Sequence, residues 1–339
     1  MRSALIVALL IFIVLAESAR AVENVTSGPE FDYQTTIVRS SDDGARIAVF
    51  ERLNASNFGD LWITRSTDEG ETWSPPSAII ATTANERHPT LVQVGISQYV
   101  LFYLKSVGSS YRLWRATSSD GSQFTEQSQL DLGWPTGGEV NPLVIRHSDG
   151  TLTMSYQRLS AGVYVAQSTD NGVTWDQLQT LISSGAQLPR IAFRESDGLY
   201  LASYQTGSSD LTMYVKTSTD VRDWSAPRQE FAITGSNHDS LPIVMPDGAF
   251  VLFWIREVGM QFDIAARRSL DGVNWGATLD ITNTPDASDV EPFPLVGTSA
   301  SRVELYWGSD SPVDSRTADI VREPAVVVND SIFASGFES

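Results

Sequence analysis

The sequence predicts an all-β chain folded as a six-bladed β-propeller, with four antiparallel strands in each blade. Three observations lead to this fold class. A short turn motif recurs at intervals of about 50 residues, two strand landmarks recur in phase with it, and no stretch keeps the hydrophobic period of a helix. Four-stranded repeats of this length are typical of propeller blades.

The turn motif, here called the clip, has the form Ser-x-Asp, is usually followed by Gly and ends on Trp or Phe. It occurs five times, and its first serines are spaced by 52, 50, 50 and 51 residues. The aspartate can accept backbone N–H groups within a tight turn, and glycine allows a positive φ there. A calcium loop would need more carboxylates per turn. We therefore assign a structural role to the clip aspartates, which are Asp68, Asp120, Asp170, Asp220 and Asp271.

The two strand landmarks divide the rest of each repeat. A first strand opens on Pro-x-apolar-apolar at Pro89, Pro142, Pro189 and Pro242, with Thr35 and Phe293 at the matching places. A second strand ends on an aromatic residue at Phe50, Tyr103, Tyr156, Tyr204, Trp254 and Trp307. A third strand leads into the clip and a fourth follows it. We expect six such units over residues 32–329, with a leader at 22–31 and a tail at 330–339; the last unit lacks a clip, as terminal repeats often do.

The N-terminus has the pattern of a signal peptide. Arg2 precedes an apolar run of 13 residues from Ala4 to Ala16, and small residues follow at Ala19 and Ala21. This run is shorter than the roughly 20 residues that a membrane span needs. We expect cleavage near Ala21 and a secreted or periplasmic protein without a membrane span. The chain contains no cysteine, so disulfide bonds contribute nothing to its stability.

The composition excludes several classes of binding partner. A formal net charge of −18 disfavours binding to nucleic acids and to anionic membranes. The sequence shows no metal-ligand spacing and no phosphate-binding loop, so we expect neither a metal nor another cofactor. We expect a monomer.

Strand alternation predicts which face carries the function. The starts of the first strands share one face with the loops between second and third strands, and the clips lie on the opposite face. The first face surrounds the central depression of a propeller. Candidate ligand-binding residues at the strand starts are Tyr33, Gln34, Arg87, His88 and Asn141. Candidate catalytic residues there are Glu139, Asp239, Asp289, Glu291 and His238.

Four cations share one repeat position, two residues after the second-strand aromatic. They are Arg52, Lys105, Arg158 and Arg256, here called the cation ring. In so acidic a chain they predict a positive field around the mouth of the depression, which would favour a carboxylate or sulfate ligand. The alternative is that these side chains pair with carboxylates between the blades.

The S-x-D-x-G-x-T-W clips at blade spacing resemble the Asp-box (BNR) repeats of the sialidase superfamily. The resemblance implies a sialidase-like six-bladed propeller acting on, or binding, acidic glycans. It also implies an arginine where this chain has Gln34, in Tyr33-Gln34-Thr35-Thr36, and an acid/base aspartate near Asn57. The family's second cation is matched by Arg52. Its nucleophilic tyrosine has no counterpart in Val290–Phe293. These departures predict a divergent member that does not hydrolyse simple sialosides.

Three functions remain open at this point. An exported enzyme could be an inverting glycosidase, which needs two carboxyl groups about 6.5–9.5 Å apart. It could instead be a polysaccharide lyase, with His238 or His88 as the base, helped by Tyr33 and an arginine. The second function is a non-catalytic propeller that binds a glycan or a protein, and the third is a purely structural secreted module. The cation ring favours the first two.

Overall fold

A computed structural model describes residues 22–176, 180–208, 211–228, 236–259, 261–284, 287–311 and 314–328. Within these ranges the chain is all-β and contains no helix. Accordingly, no described helix is long and apolar enough to cross a membrane. The predicted signal peptide at 1–21 and the tail at 330–339 lie outside the described residues.

The strands follow one another in antiparallel units. The first three units are β2 (Phe31–Arg39), β3 (Arg46–Leu53), β4 (Gly59–Ser66) and β5 (Ser77–Ile80); β6 (Glu86–Gly95), β7 (Gln98–Val107), β8 (Ser110–Ser118) and β9 (Thr125–Gln129); and β10 (Glu139–Arg146), β11 (Leu152–Arg158), β12 (Gly162–Ser168) and β13 (Thr180–Ser184). The others are β14 (Gln187–Arg194), β15 (Leu199–Thr206) and β16 (Thr212–Ser218); β17 (Asn237–Val244), β18 (Phe250–Val258), β19 (Gln261–Ser269) and β20 (Leu279–Asp280); and β21 (Asp289–Val296), β22 (Arg302–Ser311) and β23 (Asp314–Val327). A short strand, β1 (Glu23–Asn24), precedes them all.

The two ends of the chain meet in one sheet. The first and last units form a single eight-stranded sheet, joined by a parallel pair between Phe31 of β2 and Ala318 of β23. Strand β1 also pairs with β23, through Glu23 opposite Arg322. The residues predicted to be a leader therefore add a strand to the last unit. Pairing the two termini ties the ends of the repeat array together.

The clips lie between the third and fourth strand positions of their units, as the sequence predicts. In the first clip, Ser66 Oγ donates to Asp68 Oδ1 at 2.8 Å, and Asp68 accepts the Thr72 N–H at 2.9 Å. A hydrogen bond from the Thr72 hydroxyl, together with these two, lowers the pKa of Asp68 to about 2. The second clip accepts a bond from Arg65 of the preceding unit, at the Asp120 carbonyl. The structure thus places clips in hydrogen-bonded turns at the seams between units.

The hydrophobic core fills these seams. The six aromatic residues that were predicted to end the second strands are buried, with relative exposures of 0–2%. Core clusters join strands of neighbouring units, as where Phe102 of the second unit packs with Tyr156 of the third. Burial of aromatic side chains between stacked sheets is a major source of stability in such folds.

The first strands surround a common centre. Strands β2, β6, β10, β14, β17 and β21 contact one another in chain order, and β21 contacts β2. Each of them is interrupted by a β-bulge against its second strand. At every bulge one residue other than glycine adopts a positive φ of 48–56°: Gln34, His88, Asn141, Leu188, Asp239 and Glu291. This conformation costs roughly 1–2 kcal/mol per residue, and bulges of this kind re-aim side chains.

The bulges correct the register predicted from the proline landmarks. The residue after the bulge is Pro89, Pro142 or Pro189 in three units, as the sequence suggested. In the last two units the equivalent residues are Ser240 and Pro292 rather than Pro242 and Phe293. The difference arises because hydrogen bonds to the second strand, and not the spacing of prolines, set the register.

Candidate functional site

A cavity of about 70 Å³ opens where the six bulges converge. Its chemically active lining consists of Gln34, His88, Arg190, Asp239 and Glu291. A site for one water needs about 10–15 Å³ of such volume, so this cavity holds a few waters or a small substituent. A whole sugar ring would therefore sit above the cavity and insert one group into it.

Glu291 is held in the cavity by Gln34. The Gln34 backbone N–H donates to Glu291 Oε2 at 2.7 Å, and Gln34 Nε2 donates to Oε1 at 2.9 Å. Burial and the charge of Asp239 raise the pKa of Glu291 to about 7. Near neutral pH, Glu291 is thus present in both protonation states, which suits a group that exchanges a proton with a ligand.

Glu51 lies beside this cavity and was missed in the sequence analysis. It belongs to β3, is 0% exposed, and accepts bonds from Tyr33 Oη at 2.9 Å and from Arg87 Nε at 2.5 Å. The His88 N–H also points to it, at 3.3 Å. Burial and the charge of Glu291 raise the pKa of Glu51 to about 9, although the hydrogen bond from the His88 N–H opposes this shift. A glutamate directly after the apolar run Ile47–Phe50, within the same predicted strand, was the available signal for an unusual buried acid.

Arg190 was also missed, although it supplies the cation of the cavity. It lies on β14, where its Nη1 donates to the carbonyl oxygens of Pro189 at 3.0 Å and Asn141 at 3.3 Å. No described residue accepts a bond from its Nε or Nη2. Burial lowers the pKa of Arg190, but a guanidinium stays charged in proteins. Arg190 therefore offers free donors to a ligand in the cavity.

The two candidate histidines differ in their surroundings. Burial and the charges of Arg87 and Arg190 lower the pKa of His88 to about 3, so its imidazole is neutral at physiological pH. So low a pKa makes His88 a poor base for a lyase. His238 contacts Asp239, with 2.9 Å between Nδ1 and Oδ2. This contact orients the Asp239 carboxylate next to the cavity.

Two of the predicted catalytic acids do not line the cavity, which corrects the expectation that they face the central depression. Glu139 is 3% exposed and pairs with Arg112 Nη1 at 3.0 Å. Asp289 is 1% exposed and accepts bonds from Trp307 Nε1 at 2.8 Å and Ser309 Oγ at 2.7 Å. Both acids lie two residues before a bulge, at a position whose side chains turn between the units.

The cation ring adopts the alternative arrangement, in which its members pair with acids. Three pairs join opposed residues on neighbouring strands: Arg52 with Asp32 at 2.6 Å, Lys105 with Glu86 at 3.7 Å, and Arg158 with Glu139 at 3.5 Å. Two pairs reach one strand further, Lys105 to Glu126 of β9 at 2.7 Å and Arg256 to Asp280 of β20 at 2.7 Å. Three of the cations also stack on tryptophans, as Arg52 does over Trp62 at 4.4 Å. Ion pairing removes most of the field that the ring would otherwise project.

We expect the substitution Glu291→Gln to change the free energy of unfolding more favourably at pH 8 than at pH 5. The difference between the two changes should be roughly 1–3 kcal/mol. The folded chain holds a proton on Glu291 up to about pH 7, whereas the unfolded chain releases it near the ordinary value of 4.5. Wild-type stability therefore falls as the pH rises between these values, and an amide escapes this loss. Urea unfolding at both pH values measures the effect. The exposed Glu71→Gln serves as the control, and equal effects of the two substitutions would contradict the prediction.

Comparisons with known proteins bear on the fold of this site. A family model described as a BNR repeat-like domain matches residues 58–305. No curated protein matches the chain at a significant level. A protein of unknown function from Dyadobacter fermentans superposes with a TM-score of 0.73 at 13% identity, over 90% of this chain and 97% of that one.

Sialidases are among the similar solved structures. A Hadza microbial sialidase superposes with a TM-score of 0.67 at 16% identity, over 88% of this chain and 66% of that one. A mutant of NanB sialidase from Streptococcus pneumoniae superposes with a TM-score of 0.70 at 10% identity, over 90% of this chain and 70% of that one. Identities this low show the fold alone, which is the all-β propeller of the sialidases. Because the family model covers more than half of the sequence, the chain belongs to the BNR repeat-like domain family.

Proposed function

We propose that this protein is an exported, six-bladed propeller that binds acidic glycans, with one acidic substituent inserted at Arg190. The six-bladed arrangement is supported by the first strands, which contact one another in a circle, and by their six equivalent bulges. Export is supported by the signal-peptide pattern of residues 1–21.

The observation that carries the proposal is that Arg190 has hydrogen-bond donors that no described residue uses. Its Nε and Nη2 have no acceptor among the described residues, while Nη1 is fixed by two carbonyl oxygens. A carboxylate fits a guanidinium through two parallel hydrogen bonds, and such bonds are stronger than neutral ones. The cavity of about 70 Å³ has room for a group of this size.

The neighbouring acids couple binding to protonation. Asp239 and Glu291 face the same cavity, so an incoming anion is repelled unless Glu291 takes up a proton. The pKa of Glu291 near 7 places this uptake at neutral pH. Acidic glycans should thus bind more tightly below pH 7 than above it.

A glycan array probed with residues 22–339 tests the proposal. We expect signals for glycans that carry carboxylates, stronger at pH 6 than at pH 8, and none for their neutral counterparts. A lack of preference for acidic glycans, or tighter binding at pH 8, would overturn it.

A divergent glycoside hydrolase is the second candidate. It is favoured by the pairing of Glu291, whose pKa near 7 suits a general acid, with Asp239 in one cavity. On this reading Glu291 protonates the leaving oxygen and Asp239 activates water. Release of reducing ends from an acidic polysaccharide, lost in Glu291→Gln, would establish it.

We expect no turnover, or only marginal turnover, of simple fluorogenic sialosides between pH 4 and pH 8. Gln34 holds the position where the resemblance implies an arginine, and it is committed to Glu291 through two hydrogen bonds. Asn57, near which the resemblance implies an acid, lies exposed in the turn after β3 and cannot donate a proton as an acid does. Turnover comparable to that of an active sialidase would show that other residues replace both groups.

A further inference from the structure

In the first, second and fifth units, each cation of the ring has at least one acid of its own. In the third unit it does not. Arg52 has Asp32 as a partner, Lys105 has two glutamates, and Arg256 has Asp280. In the third unit two cations share one acid, because Arg112 of β8 joins Arg158 at Glu139. This group of three residues carries a surplus positive charge among the described residues.

The two guanidiniums donate hydrogen bonds through only some of their N–H groups. Arg112 and Arg158 both reach the same oxygen, Glu139 Oε1, at 3.0 and 3.5 Å, while Glu139 Oε2 is buried without a partner. Arg112 Nη1 also contacts the Trp134 carbonyl, and Arg158 contacts Thr136 through Nη1 and Nη2. The described residues supply no acceptor for Nε and Nη2 of Arg112 or for Nε of Arg158. Both side chains keep 16–18% of their surface exposed.

The loop beneath these cations is fixed in place. Its Gly138 N–H donates to the Tyr111 carbonyl at 3.0 Å, and the Leu159 N–H donates to the Gly138 carbonyl at 2.9 Å. A Cβ at Gly137 would collide with Ser110, so glycine permits the close approach. Arg158 stacks on Trp134, with 4.1 Å from Cζ to the ring centroid. The guanidiniums are therefore held before a ligand arrives, which lowers the entropic cost of binding.

The position relative to the central cavity suggests the kind of ligand. Glu139 precedes Asn141 by two residues on β10, and the Asn141 carbonyl holds Arg190. Two residues of a strand span about 6.6 Å, so the groups of β10 that hold Arg190 on one side and the Arg112–Arg158 pair on the other lie close together.

We propose that Arg112 and Arg158 form a second anion subsite, so that the ligand is a glycan with acidic groups on successive sugars, such as a polyuronate. The proposal rests on the central cavity being the glycan site. A chain that carries a single terminal acid would fill Arg190 and leave this subsite empty.

Titration calorimetry with mono- and trigalacturonic acid tests the subsite in the mature chain. We expect the trimer to bind about tenfold more tightly than the monomer, because one more charge-assisted contact is made. Arg112→Gln should reduce trimer affinity to the level of the monomer and leave the monomer unchanged. This variant keeps a one-to-one Arg158–Glu139 pair, like the Arg52–Asp32 pair of the first unit, and thermal melting checks that it folds.

Arg256→Gln is the matched control, since it removes a ring cation that already has an acid partner. Salt provides a readout that needs no variant: trimer binding should weaken more steeply with ionic strength than monomer binding. Equal affinities and equal salt dependence for the two ligands would overturn the subsite, while loss of both in Arg190→Ala would leave the central site standing. Failure of either ligand to bind would overturn the subsite and the proposed function together.

Discussion

Arg190→Ala is expected to weaken the binding of an acidic glycan by about a hundredfold or more. Two charge-assisted hydrogen bonds from Nε and Nη2 would be lost, and each such bond contributes roughly 1.5–3 kcal/mol. The remaining cavity would then expose a ligand carboxylate to Asp239 and Glu291 without a compensating cation. The substitution thus removes an attraction and leaves a repulsion, so its effect should exceed that of any single member of the cation ring.

Calorimetry or fluorescence titration with one acidic and one neutral glycan measures this loss. Arg222→Ala is a suitable control, because that arginine is exposed in the fourth clip, on the face opposite the cavity. Lysine at position 190 should recover part of the affinity, since it restores the charge but not the two-pronged geometry. Unchanged affinity in Arg190→Ala would show that the acidic group binds elsewhere.

Arg322→Ala is expected to lower the free energy of unfolding by roughly 3–5 kcal/mol, as is usual when one partner of a buried ion pair is removed. Arg322 is 0% exposed and lies on β23. Its guanidinium binds Glu23 of β1 at 2.5 Å and the Glu69 carbonyl of the first clip at 2.8 Å, and it lies 3.8 Å from Glu304. One side chain therefore joins the last unit to the N-terminal strand and to the first unit.

The interactions lost in Arg322→Ala all lie at the junction of the two chain ends. Glu304 keeps Arg46 and Arg39 as partners, whereas Glu23 and the Glu69 carbonyl each lose their bond to this arginine. Urea denaturation of the purified variant measures the change. Arg65→Ala, which breaks the more exposed pair with Asp43, should cost about 1 kcal/mol or less and serves as the comparison. A cost for Arg322→Ala no larger than this would mean that the junction is held by strand pairing alone.

The sequence by itself determined the order of the strands and the location of the clips. Both depend on local chemistry: a Ser-x-Asp turn closes on itself through its own hydrogen bonds, and an aromatic residue recurs in the second strand of each unit. It also predicted that Gln34, His88, Asp239 and Glu291 share one face of the fold, because they stand at similar places in successive repeats. The structure gathers these four in one cavity.

Only the tertiary structure decided which charges meet. Strict alternation along a strand treats Glu139 and Asp289 as equals of Glu291, yet a bulge turns the last toward the centre and leaves the other two between units. Arg190 and Glu51 belong to strands far apart in the chain, and no local pattern relates them. Cross-strand register placed Asp32, Glu86 and Glu139 opposite members of the cation ring. Side-chain direction at a bulge and pairing between distant strands depend on hydrogen bonds that form only when the sheets assemble, which is why the chemistry of the cavity could not be predicted from spacing alone.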